Sequence, residues 1–164
     1  MERQIAIKET VTELGRECPS GYSAAFHFGF HSPDFLFQTY PPAWRDEYTD
    51  NSLVMFDPAL RWGMENAGTI RWSEIPEAKD NVVMARAAAH GVVYGFVCSV
   101  GESNDRSIFN GSRADREFTD AEIASISDKI AKLHDLTTDL DALSEQFEAE
   151  LRALSIDVTH GGHA

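Results

Sequence analysis

Residues 39–73 read TYPPAWRDEYTDNSLVMFDPALRWGMENAGTIRWS and hold the most informative pattern in the chain. Pro41-Pro42 predicts the start of a helix running to about Thr49, because proline fits where the first helical N–H groups have no partner. Tyr40, Trp44 and Tyr48 recur every four residues and so fall on one aromatic stripe of a helix. Asp57-Pro58 predicts a second helix, with the carboxylate capping free N–H groups and the proline at the first helical position; Gly68 is read as its end. Trp72 closes the stretch. Each feature also has a plain structural account, since an aromatic stripe serves equally as core and Asp57 is a sufficient cap by itself.

Toward the N-terminus, Glu2 to Glu17 sets Ile5, Val11 and Leu14 among charges at helical spacing, and Cys18-Pro19-Ser20-Gly21 breaks that helix. Tyr22 to Phe30 reads as a strand with Phe26, Phe28 and Phe30 on one side and His27 on the other. Asp34 to Thr39 is a second strand. Toward the C-terminus, Asn81 to His90 is helical with Gly91 at its end, and Val92 to Val100 with Ser107 to Ser112 reads as a hairpin. Thr119 to Glu122 has the form of a capping box opening a long helix, Ile123, Ile126, Ile130, Leu133, Leu136 and Leu140. Leu143, Phe147, Leu151 and Leu154 extend the same stripe, and the tail from Thr159 to Ala164 carries no structure-forming signal.

A chain of 164 residues that is 43% hydrophobic suffices for one buried core, so one domain is expected. Its formal charge of −13 disfavours direct binding to a phosphate backbone. No apolar run reaches the roughly 18 residues of a membrane span, and Met1 to Gln4 lacks a secretory pattern; a cytoplasmic location is expected. Cys18 and Cys98 read as buried reduced thiols. Among the six histidines only His160 and His163 lie close together, without a third ligand, so neither a metal site nor a cofactor is expected. Ser99-Val100-Gly101 lacks a nucleophile elbow and no phosphate-cradling loop occurs, so nothing points to an enzyme.

The ordered pattern Y-P-x-x-W-x-x-x-Y, then D-P, then W, carried by Tyr40, Trp44, Tyr48, Asp57 and Trp72, resembles the signature of LuxR-type acyl-homoserine-lactone receptors. The order of elements is also similar from about residue 5 to 140. The resemblance implies an α/β fold: an α/β/α sandwich around a five-stranded antiparallel sheet, enclosing the lactone between the sheet and the helices of one face. It implies that Trp44 donates its indole N–H to the lactone carbonyl, that Asp57 accepts the ligand amide N–H, and that Tyr40 gives its hydroxyl to the acyl carbonyl. Tyr48 and Trp72 would wall the head group. Asn110 stands near the strand position where relatives place a hydroxyl close to the acyl carbonyl, and it is equally an ordinary hairpin asparagine.

The implied role is a quorum-sensing signal receptor acting on transcription, directly as a sensor or indirectly. Full-length receptors continue into a helix-turn-helix domain. Here the reading is an autoinducer-binding domain over residues 1–140 and a C-terminal helical extension with a flexible tail over 141–164. Between Glu117 and Asp157, 11 acidic residues stand against Lys129, Lys132 and Arg152, which disfavours DNA contact, and Met1 favours a natural stand-alone sensor over half of a longer receptor. The apolar stripe from Ile123 to Leu154 suggests a homodimer, or a heterodimer with a full-length receptor, through the long C-terminal helix. The alternative function is a ligand-independent interaction protein that dimerises with and modulates such a receptor; a sensor of a non-lactone small molecule is a third.

Overall fold

The computed structural model describes residues 2–28, 32–138 and 144–160. Its centre is one antiparallel sheet of six strands: β1 (Tyr22–Phe28), β2 (Phe35–Gln38), β3 (Gly68–Arg71), β4 (Tyr94–Glu102), β5 (Asp105–Arg113) and β6 (Asp157–His160), in the order β3-β4-β5-β1-β2-β6. The helices are α1 (Glu2–Glu17), α2 (Pro42–Asp50), α3 (Pro58–Glu65), α4 (Val82–Ala88), α5 (Asp120–Leu136) and α6 (Glu145–Ala153). The α/β/α sandwich is as expected, with one strand more than the five implied by the resemblance.

Side-chain alternation along the strands divides the interior into two cores. Phe35 and Phe37 of β2, Phe96 and Cys98 of β4 and Phe109 of β5 face α1, α5 and α6, whose Ile7, Val11, Leu14, Ile126, Ile130 and Leu151 fill the space against them. Val97 and Ile108 face the other way, toward Trp44 of α2, Ala59 of α3 and Val83 and Ala87 of α4.

Local chemistry sets the helix starts. Asp57 accepts from the N–H groups of Ala59 and Leu60, Asn81 from Val83 and Met84, and Thr119 and Glu122 close a reciprocal capping box. Four details depart from the sequence reading. The helix begun by Pro58 ends at Glu65, three residues before Gly68, because Asn66 ties off Trp62 O with both its backbone and side-chain N–H; Gly68 instead opens β3. The long C-terminal stripe is split, α5 stopping at Leu136 and α6 starting at a Ser144 cap; Leu140 and Leu143 lie outside the described residues. Ile123, Ile126, Ile130, Leu133, Phe147 and Leu151 are all buried within this chain, so the stripe is largely accounted for without a partner. Thr159 and His160, read as unstructured tail, belong to β6, which pairs with the edge of β2 from Phe35↔His160 to Gln38↔Asp157.

The fourth departure lies in β1, where the pairing with β5 shifts between Ala25 and Phe28. His27 takes φ of 63°, a bulge residue in the left-handed region. A strict alternation would put His27 opposite Phe26; the bulge turns it onto the α5 side, where it bonds Thr137, while Phe28 joins the second core. Phe30 lies outside the described residues.

Candidate functional site

The second core is not filled. Between the sheet and α2, α3 and α4 lies a cavity of about 370 Å³, within the size range of small-molecule sites. Tyr40, Trp44, Tyr48, Asp57, Trp72 and Asn110 all line it. Residues up to 70 apart in sequence are thus brought to one space by four separate segments.

Trp44 and Tyr48 sit one turn apart on α2 and meet edge to face, ring centroids 5.7 Å apart. Tyr40 precedes the helix, so the stripe is helical only over its last two members, yet its ring still reaches the cavity. The Tyr40 hydroxyl donates to the main-chain carbonyl of Asn110 at 3.2 Å. On the far side of Trp44, His90 packs against the indole at 5.5 Å and bonds Glu47 at 2.9 Å, fixing the ring from behind.

Asp57 does two things at once. Its Oδ1 caps α3 by accepting from Ala59 N (2.9 Å) and Leu60 N (3.2 Å), and its Oδ2 accepts the Tyr48 hydroxyl at 2.7 Å. Burial pushes the carboxyl above its ordinary pKa, opposed by those three hydrogen bonds. Burial, reinforced by the Asp57 charge, likewise raises the phenols of Tyr40 and Tyr48, so both remain hydrogen-bond donors at neutral pH.

Trp72 begins a single 3₁₀ turn after β3 and donates its indole N–H to Asn110 Oδ1 at 2.9 Å. Its ring lies flat on β4 because residue 95 is glycine: a Cβ there would come within 2.5 Å of the indole. Two residues read as walls, Tyr48 and Trp72, therefore also orient the polar groups beside them. Among the described residues no acceptor pairs with the Trp44 indole N–H. The remaining lining is mostly apolar, including Phe28, Leu36, Leu60, Val83, Met84 and Ile108.

Sequence reasoning missed Arg45, which also lines the cavity. Its Nη1 is held by Asp157 of β6 at 2.6 Å, and its Nε is buried without a partner. Its place beside Trp44 inside the signature was the one available signal. It also missed a cluster on the other face of the sheet, His27, Asp105 and His134, because 78 and 29 residues separate its members.

The profile of the family described as autoinducer binding domain matches residues 21–136, spanning every cavity-lining position named above. The chain belongs to the autoinducer-binding domain family. It is accordingly a small-molecule receptor domain of the quorum-sensing, LuxR type. Among solved structures, the 1–171 fragment of Escherichia coli SdiA in solution matches with a TM-score of 0.65 at 19% identity, covering 86% of this chain and 90% of that one. SdiA in complex with octanoyl-rac-glycerol matches at TM-score 0.60 and 19% identity, over 92% of this chain and 69% of that one. CepR2 of Burkholderia cenocepacia, an N-acylhomoserine-lactone-dependent LuxR-family transcription factor, matches at 0.52 and 16%, over 73% of each chain. At these identities the likeness establishes the fold of this autoinducer-binding domain. No curated protein sequence matches the chain. Among the described residues no helix is long and apolar enough to cross a membrane.

Proposed function

We propose that this domain is a receptor for an N-acyl-homoserine lactone. The observation that carries the reading is an apolar cavity lined by both a desolvated carboxylate, Asp57, and an indole N–H, Trp44, that no described residue satisfies. A fatty ligand with a small polar head needs each of its polar groups met once it leaves water. In this reading Trp44 donates to the lactone carbonyl and Asp57 Oδ2, which keeps a lone pair beyond the one used by Tyr48, accepts the amide N–H. Tyr40 turns its hydroxyl from the Asn110 carbonyl to the acyl carbonyl. Tyr48 and Trp72 wall the head group, Asn110 supplies a further polar contact, and the acyl chain lies against Phe28, Leu36, Leu60, Met84 and Ile108.

A ligand that completes this core stabilises the folded state by mass action, so ligand binding and folding are coupled. In the cell the domain would report ligand to transcription, alone or by pairing with a second copy or a full-length receptor.

One observation favours a second ligand, an acyl glycerol: SdiA, of the same fold, is solved with octanoyl-rac-glycerol. Such an ester has no amide N–H for Asp57 to accept. Native mass spectrometry of protein expressed with a panel of acyl lactones of differing chain length, and with octanoyl glycerol, tests both. Retention of a lactone by the wild type and its loss in Asp57→Asn supports the lactone reading. Retention of the glycerol ester alone, with no lactone held, supports the second. Retention of neither, with no rise in melting temperature, overturns both in favour of a ligand-independent interaction protein.

A further inference from the structure

On the sheet face away from the cavity, the β1 bulge, the start of β5 and the last turn of α5 bring His27, Asp105 and His134 together. One ligand atom of each lies within 4.8 Å of the others. His27 Nδ1 is 2.7 Å from Asp105 Oδ1, His134 Nε2 is 3.7 Å from Asp105 Oδ2, and the two rings lie 4.5 Å apart. One carboxylate therefore faces two imidazoles, one on each oxygen.

Each ring is pinned through its other nitrogen. The Thr137 hydroxyl spends its proton on the Leu133 carbonyl at 2.7 Å, so its oxygen accepts from His27 Nε2–H at 2.8 Å. In the neutral ring this leaves a lone pair on Nδ1, directed at a carboxylate oxygen that is itself an acceptor. Two acceptors at that separation need a positive charge between or beside them. His134 Nδ1 lies 2.6 Å from the Ser107 hydroxyl, which leaves Nε2 on the Asp105 side. Imidazoles fixed by an outer hydrogen bond and converging with a carboxylate are the arrangement that metal-binding histidines adopt.

We propose that His27, Asp105 and His134 bind one divalent transition-metal ion of the zinc class, with a further coordination position left to water. Two imidazoles and one carboxylate suit such an ion better than magnesium or calcium, which take oxygen ligands. A four-coordinate ion holds such ligands at about 2.0–2.2 Å and hence about 3.3 Å from one another, and one ligand atom of each residue here already lies within 4.8 Å of the others, so small side-chain rotations bring the three onto one ion. The Asp105 side chain is 49% exposed, which gives an ion and its water a way in. Two backbone features serve the same geometry. The bulge turns His27 off the cavity face and onto this one, and Gly101 keeps the Nε2 edge of His134 clear, since a Cβ there would stand 3.2 Å from that nitrogen. The site is independent of the lactone reading.

The test uses the full chain, stripped with a chelator and titrated with Co²⁺ followed by visible absorption, then with Zn²⁺ by calorimetry. A variant with His160→Gln and His163→Gln removes the two C-terminal imidazoles, the tail histidines of the sequence reading, as a background. One equivalent should bind in both proteins, Zn²⁺ should raise the melting temperature, and Asp105→Asn and His134→Gln should abolish both effects. Ser107→Ala should weaken binding about 10- to 100-fold by releasing His134. Circular dichroism checks that the variants fold; Asp105→Asn, at a half-exposed side chain, is the one safest in that respect. Absence of Co²⁺ binding by the wild type, or binding that survives Asp105→Asn and disappears with the tail histidines, overturns the proposal and leaves a proton-mediated His27–Asp105 pair.

Discussion

The two faces of the sheet are built from the same kinds of residue and end in different states. Against α1, α5 and α6 the rings of Phe37, Phe96 and Phe109 interlock with Ile126, Ile130 and Leu133, every one fully buried. Against α2, α3 and α4, Trp44, Trp72 and Ile108 surround empty space and three of the chain's hydrogen-bonded polar pairs. A filled face sets the stability of the fold, because close packing gains both transfer and dispersion energy. A hollow one forgoes part of that energy and can recover it only from something that enters. The lesson is a division of labour across a single sheet only one residue thick.

That contrast can be broken most easily on its filled side. Phe109 touches the rings of Tyr22 and Phe96 and is wholly buried, so Phe109→Ala should cost about 3–5 kcal/mol in chemical denaturation. A loss under about 1 kcal/mol would mean that this face too is loosely packed.

On the hollow side the larger effect should fall on ligand and the smaller on the empty fold. Asp57→Asn keeps an oxygen for the α3 cap but replaces the Oδ2 acceptor, and should weaken lactone binding by about 1–3 kcal/mol, roughly 5- to 150-fold by calorimetry. Asp57→Ala should lose in addition about 0.5–2 kcal/mol of unliganded stability with the cap. Wild-type affinity in both variants would remove Asp57 from the site.

Filling the cavity sharpens the comparison. Ala87 of α4 is buried and lines the space, so Ala87→Leu should raise unliganded stability by about 0.5–2 kcal/mol and abolish any ligand-dependent rise in melting temperature. Destabilisation by about 1–3 kcal/mol would instead show a face with no room to spare.

The smallest effect is a pH dependence. Burial holds the Asp57 carboxyl above its ordinary pKa, so the native state keeps that proton to higher pH than the unfolded chain does. The stability this contributes is present below the ordinary carboxylate pKa and lost as pH rises through the native value. Denaturation of wild type and Asp57→Asn across that range should therefore show the wild type losing ground with rising pH. A constant difference between them would place Asp57 in water.

Much of this was legible in the chain itself. Asp57-Pro58, Asn81 and Thr119-x-x-Glu122 announce helix starts because a cap is a contact between residues two or three apart. The signature from Tyr40 to Trp72 pointed to residues that do share a cavity, since the pattern keeps most of them within 33 positions of each other. Two of the three four-residue strands escaped notice for the opposite reason. β2 carries its own apolar pair, Phe35 and Phe37, whereas Gly68–Arg71 and Asp157–His160 have no such local pattern and are strands only because the edges of β4 and β2 offer unpaired backbone.

Sequence alone determined where α2, α3, α4 and α5 begin and which aromatic and acidic residues belong to one pattern, all properties written within a few residues. Only the tertiary structure decided which face of the sheet is packed and which is hollow, that Arg45 reaches Asp157, and that a bulge swings His27 toward Asp105 and His134. Those outcomes depend on how far apart whole layers settle and on one extra residue in a strand pairing. Neither leaves a local trace, because the energy that fixes it is summed over contacts between segments distant in the chain.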